Sequence, residues 1–289
     1  MTASEDKALA RAIARTLLDQ RARRVENGLY WETQIAFVYN SEKMEGNALT
    51  HDQTRLLFET GTLGGERVPL DDALETRNHF RMVDLALDTL TEPLSADLMK
   101  RFHRTLKTGT SDDLDASGFA VGGWKTVPNG VAGIDTAAPQ DVDEAIGRLL
   151  AEYRKVEPTL ENIVAFHVRF ETIHPFQDGN GRVGRVIMFR ECLKGGVPPF
   201  VVLDAQKQAY YRGLDEFQKG DREPLLAFCR RMSDVYATEF LSLVPEKLLL
   251  PETQERARRA NAFDMDAAVF GEGGGETPKK GPLKRLLRR

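Results

Sequence analysis

One short stretch of the chain concentrates residue types that can carry out group transfer. Residues 174–185 read His-Pro-Phe-Gln-Asp-Gly-Asn-Gly-Arg-Val-Gly-Arg. The imidazole of His174 can accept a proton near neutral pH, and Asp178 offers the hard oxygen ligands that Mg²⁺ prefers. Arg182 and Arg185 are fork-shaped donors that match phosphate oxygens. A nucleoside triphosphate, a metal ion and a hydroxyl to be deprotonated would use every one of these side chains.

The flanking sequence indicates how these residues are held. Apolar residues recur at helical spacing on both sides of the stretch, which predicts a loop between two helices. Pro175 disfavours helix at His174, so the first helix should end there. The glycines of residues 179–181 let backbone N–H groups turn inward, toward the positive end of the second helix. We therefore expect an anion site in this loop, with Phe176 as a core anchor.

The same residues resemble a known family. The stretch is similar to the motif His-Pro-Phe-x-Asp-Gly-Asn-Gly-Arg-x-x-Arg of Fic domain proteins, in the Fido superfamily, without a departure. The segments 170–173 and 103–106 also resemble that family, and the likeness extends from about residue 30 to about residue 240. It implies a Fic-fold helical bundle with a small β-hairpin flap. A mainly α fold class agrees with the helical period found in most segments.

The resemblance also implies an activity. Family members of this kind are protein adenylyltransferases, which move AMP from ATP to a Ser, Thr or Tyr hydroxyl of a target protein and release pyrophosphate. His174 would be the base, and Asp178 would hold Mg²⁺. The residues expected to bind the nucleotide are Phe176, Gly179, Asn180, Gly181, Arg182, Arg185 and Tyr211.

A second informative stretch covers residues 41–47, Ser-Glu-Lys-Met-Glu-Gly-Asn. Gly46 and Asn47 tolerate a left-handed cap and should end a helix at about 31–47. Thr50, followed by Gln53, predicts a capping box on the next helix. Glu45 then stands at the negative end of a helix, where a carboxylate is unfavourable unless a cation lies opposite.

This stretch resembles the inhibitory motif of the same family, Ser/Thr-x-x-x-Glu-Gly/Asn, as found in members with an N-terminal inhibitory helix. Ser41, Glu45 and Gly46 occupy the fixed positions. The resemblance implies that Glu45 reaches Arg185 and blocks productive placement of the γ-phosphate. It therefore predicts an autoinhibited enzyme.

A third stretch, at about 118–133, is rich in glycine and contains the turn signal Pro128-Asn129-Gly130. Short β-prone pieces flank it, which predicts a small hairpin. It resembles the family's flap, which binds an extended target segment by strand addition. The residues expected to meet the target are Trp124, Lys125, Thr126 and Val127.

Composition and charge bound the remaining possibilities. The net charge of −4 gives no global reason to expect a nucleic-acid partner. Without an apolar run long enough to span a membrane and without a signal peptide, we expect a cytoplasmic protein. Cys192 and Cys229 are too few for a disulfide framework and should be buried thiols.

The chain divides into three predicted regions. They are an N-terminal helical region with the inhibitory helix (1–110), a catalytic core with the flap and the motif (111–240), and a C-terminal helix with a flexible basic tail (241–289). A helix is expected at 5–27. His79 and His103 fall in helices and are expected to be surface or packing histidines.

Several alternatives stay open at this stage. The same site could transfer another phosphate-containing group, or Glu45 could support removal of AMP by positioning water. The chain could also be a non-catalytic binding module, although such a module has no use for an intact base. Self-modification and a homo-oligomer are compatible with the sequence, and the target protein is not defined by it.

Overall fold

The protein is built almost entirely from α-helices, as seen in a computed structural model that describes residues 3–65, 67–114, 120–131, 134–251 and 253–254. The mainly α class predicted from the sequence is confirmed. Within the described residues the helices are α1 Ala3–Arg23, α2 Leu29–Met44, α3 His51–Thr60, α4 Leu70–Asp88, α5 Ala96–Lys107, α6 Ser111–Leu114, α7 Val142–Tyr153, α8 Leu160–Ile173, α9 Asn180–Gly195, α10 Lys207–Gln218 and α11 Glu223–Phe240.

Helix α9 lies at the centre of the bundle. Residues 182–193 of this helix are buried on every face, which is the pattern of a core helix rather than of an amphipathic surface helix. Helices α1, α2, α4, α5 and α8 all pack against it. The second half of the sequence motif therefore sits on the most enclosed element of the fold, so its side chains are held by packing from several directions.

The N-terminal helices form much as the sequence indicates. Helix α1 corresponds to the helix expected at 5–27, and α2 corresponds to the one expected at about 31–47. Helix α2 ends at Met44 because Gly46 adopts a φ of 91°, which ordinary residues avoid. The capping box of Thr50 and Gln53 is present at the start of α3. Helix α2 packs against α1, α3, α4 and α9, so its C-terminal end reaches the motif.

A two-stranded hairpin is present, but it lies further along the chain than predicted. Its antiparallel strands are β1 Gly130–Val131 and β2 Ile134–Asp135, and Gly130 pairs with Asp135. Pro128-Asn129-Gly130 is therefore not the hairpin turn. Asn129 is instead fixed to the motif loop, because its side-chain amide donates to the carbonyl of Phe176 at 2.8 Å. The first strand begins at Gly130, directly after this contact.

Two smaller expectations can be compared with the described residues. Cys192 and Cys229 are both buried free thiols, as predicted. None of the described helices combines the length and the apolar character needed to span a membrane. The basic tail predicted near the C-terminus lies beyond residue 254, outside the described residues.

Candidate active site

The motif loop is held in a single shape by backbone and side-chain contacts. Helix α8 ends at His174, which adopts the left-handed conformation (φ 50°, ψ 61°), uncommon for a residue with a side chain. The amide of His174 still donates to the carbonyl of Phe170 at 2.9 Å. The turn therefore carries the imidazole out of the helix and into the loop, where a substrate can meet it.

Asn180 clamps this loop onto the start of α9. Its side-chain oxygen accepts from the amide of Phe176, and its side-chain amide donates to the carbonyl of the same residue, both at 2.8 Å. Gly179 precedes the helix with a φ of 77°, as only glycine does without strain. The amide of Val183 donates to the carbonyl of Gly179. The amides before it belong to the first turn, which has no helical acceptors and suits an anion.

The side chains of Phe176 and Asn180 hold the loop in place by packing and by hydrogen bonds. Phe176 is fully buried and stacks on His103 with ring centroids 4.1 Å apart. The ring is therefore a core anchor, as expected, and nucleotide contact by Phe176 stays a prediction. The side chain of Asn180 is 1% exposed and committed to Phe176, which leaves only its backbone N–H for phosphate.

Electrostatics favour a neutral imidazole at His174. Burial lowers its pKa below the ordinary value of 6.5, and the nearby Lys125 acts in the same direction, while the backbone carbonyl of Glu171 opposes them. A histidine with a lowered pKa is unprotonated at neutral pH. It is then ready to accept a proton from a hydroxyl without first losing its own.

Arg185 is engaged by the C-terminal end of α2, as the sequence predicted. Its guanidinium donates to the carboxylate of Glu45 at 2.7 Å, and to the hydroxyl and the carbonyl of Ser41 at 2.9 Å each. Arg185 is 3% exposed, whereas about a third of the Glu45 side chain is exposed. All three donors of the guanidinium edge are thus satisfied without a phosphate.

Gly181 makes this pairing sterically possible. A Cβ atom at Gly181 would lie 2.5 Å from Glu45 Oε1 and 2.8 Å from Arg185 Nη1. Contacts this short would push the carboxylate away from the arginine. The second motif glycine therefore serves two purposes, because it leaves its amide open and gives Glu45 room beside the anion site.

Arg182 is itself buried and faces a cluster of carboxylates. It donates to Glu42 at 3.1 Å and to Asp178 at 2.9 Å, and it also contacts Glu75. Glu42 in turn bonds to the ring of His79 at 2.8 Å. Burial alone would raise the pKa of Glu42, but Arg182 and His79 outweigh it and hold the pKa at about 2. Arg182 was expected to bind phosphate, and in this structure carboxylates hold it instead.

Lys107 is a second cation in the same cluster. Its ammonium contacts Asp178, and it lies 2.5 Å from Glu75 Oε1 and 2.8 Å from Asp112 Oδ2. The Lys107 side chain is 2% exposed, so water does not replace these partners. Burial would lower the pKa of Lys107, but Asp178 and Glu75 raise it above its ordinary value. The ammonium therefore remains charged.

Asp178 has the chemistry of a magnesium ligand but is not arranged as one. Glu75, Asp112 and Asp178 offer oxygens within 4.8 Å of one another, a donor set that a hard cation would accept. The space between these oxygens is taken by the ammonium of Lys107. As arranged here, the carboxylates fit a bound ammonium and do not fit an additional metal ion.

A cavity of about 200 Å³ lies between the end of α2 and the motif loop. Five carboxylates and one arginine line it together with Gly46 and Asn47; the charged members are Glu42, Glu45, Asp72, Glu75, Asp178 and Arg182. An anionic triphosphate would meet net negative charge here. Phosphate binding at this point therefore requires that carboxylates move or that a cation accompanies the nucleotide.

Tyr211 lies near Glu45 and Arg185, whereas its neighbour Tyr210 is packed in the core. Tyr210 is buried and shares a hydrogen bond with His167. Tyr211 is 39% exposed, and its hydroxyl is close enough to Glu45 and Arg185 to be affected by both charges. Burial, followed by Glu45, raises the pKa of Tyr211 to about 12. Core packing therefore explains the position of Tyr210 but not that of Tyr211.

The flap residues divide between anchoring and exposure. Lys125 is 3% exposed; its amide donates to Pro175 O at 2.8 Å, and its ammonium donates to Asn129 Oδ1 at 2.6 Å. Its side chain thus braces the loop, and target contact by Lys125 stays a prediction. Trp124 is half-buried against Phe176. Thr126 and Val127 are exposed beside the loop.

Sequence reasoning missed four members of the charged cluster around Asp178: Glu42, Glu75, Lys107 and Asp112. Glu42 could have been found, because it lies three residues before Glu45 and so shares a helix face with it. The others come from α4, α5 and α6, at separations that no local spacing reveals. His79 and His103 were expected to be surface or packing histidines, and both are buried packing residues.

Comparisons with known proteins agree with this geometry. Residues 93–192 match the model of the Fic/DOC family. The matched segment contains α8, the motif loop and most of α9. The fold resembles a Fic domain containing signaling protein from Bacteroides thetaiotaomicron (TM-score 0.67, 22% identity, 80% of this chain and 96% of that chain). It also resembles Fic-1 from C. elegans (TM-score 0.60, 22% identity, 81% of this chain and 72% of that chain).

Curated relatives share sequence over most of the chain. One is the protein adenylyltransferase Fic of Nematostella vectensis, 25% identical over 233 residues, which are 78% of this chain and 52% of the relative. Another is the protein adenylyltransferase Fic of Aedes aegypti, 27% identical over 277 residues, which are 87% of this chain and 52% of the relative. The chain spans about half the length of these relatives.

Proposed function

We propose that the protein is an adenylyltransferase that transfers AMP from ATP to a hydroxyl of a target protein. The observation that carries the proposal is the position of His174, a neutral imidazole beside the open amides at the start of α9. The relatives named protein adenylyltransferase support it. A Ser, Thr or Tyr side chain would supply the hydroxyl.

The proposed reaction assigns one task to each part of the loop. His174 takes the proton of the target hydroxyl, the oxygen forms a bond to the α-phosphorus, and the bond to the β-phosphate oxygen breaks. Pyrophosphate leaves with the negative charge. The amides of residues 179–181 and the guanidinium of Arg185 would stabilise that charge, which is the main electrostatic requirement of phosphoryl-group chemistry.

Mg²⁺ is the expected companion of ATP, and when bound it would neutralise phosphate charge. Asp178 is the residue that the sequence nominates to hold it. Since Lys107 and Arg182 both engage Asp178 Oδ2, no step of the proposed reaction is assigned to the metal.

We further propose that Glu45 inhibits the reaction. Arg185 would need to pair with the γ-phosphate, but in this structure its donors are given to Glu45 and Ser41. The carboxylate also places a negative charge beside Gly181, where the phosphates would bind. ATP would then bind weakly or in an unproductive position until α2 releases the arginine.

A second candidate activity is removal of AMP from a modified target. It is favoured by the position of Glu45, whose carboxylate is about one third exposed and lies against the first turn of α9. A carboxylate in this place could orient an attacking water. Release of AMP from a pre-modified target, measured with wild-type protein and with Glu45→Gln, distinguishes this activity from transfer.

The transfer proposal is tested with ATP labelled either at the α-phosphorus or at the γ-phosphorus. AMP transfer should label protein from the α-labelled nucleotide only. His174→Ala should reduce that labelling by roughly 10²–10⁴-fold, which is the typical contribution of a general base, while ATP binding persists. Labelling from γ-labelled ATP alone would show kinase-like transfer and overturn the proposal. Unchanged labelling by His174→Ala would remove the assigned base.

A further inference from the structure

The carboxylate cluster around Asp178 contains a buried cation, although the Asp178 side chain itself is 52% exposed. Lys107 is the last residue of α5, and its ammonium is within contact distance of three carboxylates from three other places in the chain: Glu75, Asp112 and Asp178. These are the carboxylates that come closest to forming a metal site in the described residues. The ammonium and a metal ion would compete for the same oxygens.

We propose that Lys107 is a tethered cation that closes the Glu75–Asp112–Asp178 site to divalent metal ions. In this role the protein's own ammonium supplies the positive charge that Mg²⁺ or Mn²⁺ would otherwise bring. The inference concerns metal binding and does not depend on AMP transfer being the activity.

Geometry excludes simultaneous occupancy. Mg²⁺ requires oxygen ligands at about 2.0–2.1 Å in near-octahedral array, and the three oxygens already surround Lys107 Nζ at hydrogen-bonding distance. A divalent ion on the same oxygens would stand within about 5 Å of the ammonium, where the two positive charges repel each other. The metal must therefore displace the ammonium.

Displacement is opposed by the packing of Lys107. Its side chain is 2% exposed, so the ammonium cannot simply swing into water. Its stem lies against the motif loop, since a Cβ atom at Gly179 would be 3.7 Å from Lys107 Cε. Arg182 holds Asp178 and Glu75 from a second direction, which further restricts rearrangement of those carboxylates.

The substitution Lys107→Met removes the charge and keeps an unbranched apolar stem of similar length. Three carboxylates would then converge without their nearest counter-ion, which is unfavourable until a cation enters. In contrast, Lys107→Arg keeps a cation in place. Lys219→Met is a matched surface control, because Lys219 pairs with Asp215 at 2.5 Å in an exposed position.

The test is a titration of the full chain with Mn²⁺ in the absence of nucleotide, following the loss of the free-ion electron paramagnetic resonance signal. Wild type, Lys107→Arg and Lys219→Met should bind Mn²⁺ equally weakly, and Lys107→Met should bind at least tenfold more tightly. The thermal midpoint of Lys107→Met should also rise with Mn²⁺ relative to EDTA, while that of wild type should not. Adding Asp178→Asn to Lys107→Met should abolish the gain.

Two results would overturn the inference. One is micromolar Mn²⁺ binding by the wild-type protein that Asp178→Asn removes, and the other is equal affinity in wild type and Lys107→Met. If Lys107→Met does not fold, the double variant Lys107→Met/Asp112→Asn restores the balance of charge and still leaves two carboxylates. It should bind Mn²⁺ more tightly than wild type, and an affinity no higher than wild type rejects the proposal.

Discussion

At the scale of single residues, the burial of Glu171 next to the motif changes the protonation of its carboxyl group. Glu171 lies three residues before His174 and is packed so closely to α9 that a Cβ atom at Gly184 would be 2.4 Å from its carboxyl oxygen. Burial raises the pKa of Glu171 to about 8, and Arg185 only partly opposes this because Glu45 acts in the same direction as burial. We therefore expect a protonated, neutral Glu171 at neutral pH.

This protonation predicts a specific pH dependence of stability. Above the ordinary carboxyl pKa of 4.5 the unfolded chain has lost the proton, but the folded chain keeps it up to about pH 8. The folded state binds more protons in that window, so this group's contribution to the free energy of unfolding falls as pH rises through it. A full proton corresponds to about 1.4 kcal/mol per pH unit.

Glu171→Gln mimics the protonated form and should lack this contribution. Urea unfolding of both proteins at several pH values between 5 and 8 measures it. The stability of wild type relative to the variant should decline as pH rises. A constant difference across this range would mean that Glu171 titrates normally despite its burial. The titratable groups facing it are common to both proteins: Arg185, Glu45, His167, Tyr210 and Tyr211.

At the scale of elements, α2 reaches both motif arginines with two carboxylates spaced three residues apart. Glu45 pairs with Arg185, and Glu42 pairs with Arg182. The two pairs differ in setting. Glu42 is 2% exposed and also binds His79, whereas Glu45 stands beyond the end of the helix and about a third of its side chain is exposed. We infer that the Glu42 contact fastens α2 to α9, and that the Glu45 contact can be released while the helix stays in place.

This division predicts different consequences for stability. Glu42→Gln removes a buried charge that faces Arg182 and His79, and it should lower the free energy of unfolding by roughly 1.5–3 kcal/mol, the typical worth of a hydrogen bond to a charged group. Glu223→Gln, which breaks an exposed pair with Arg230, should change it by less than about 1 kcal/mol. Chemical denaturation measures both. Equal, small effects would contradict a fastening role for Glu42.

Parts of this arrangement follow from local sequence and parts do not. The end of α2, the capping box of α3 and the loop before α9 are set by Gly46, Thr50 and Gly179, whose conformational preferences act over a few residues. The meeting of Glu45 with Arg185 was predicted from a resemblance, and the structure brings the two together. Lys107 reaches Asp178 only because α5 packs on α9, and tertiary packing of that kind leaves no local signal.

The flap illustrates the same limit. Proline, asparagine and glycine at 128–130 have strong turn preferences, and a hairpin turn was predicted there. In the structure the side chain of Asn129 is used to bind the motif loop, and the strands begin only at Gly130. The contact of Asn129 with the motif loop therefore accompanies the shift of the strands along the chain. The turn-forming residues 128–130 lie in the loop before the hairpin and at its first strand residue.

At the scale of the whole molecule, the described helices hold the motif site in a closed arrangement. Its two arginines and its aspartate are all occupied by partners from within the chain. A charged nucleotide has to exchange those partners for its phosphates. The free energy of that exchange, rather than the chemical step alone, should set the rate of the wild-type protein.

The central claim, that Glu45 restrains an adenylyltransferase through Arg185, is tested most directly by AMP incorporation from α-labelled ATP. Wild type, Glu45→Gly and Glu45→Gly/His174→Ala are compared, with Lys43→Gly as a control that adds a glycine at the same helix end and leaves the carboxylate. Incorporation by Glu45→Gly should exceed that of wild type by about tenfold or more, within the 1–3 kcal/mol of typical coupling, and the double variant should show none of this gain. Equal incorporation by wild type and Glu45→Gly, or an equal gain with Lys43→Gly, would contradict the claim.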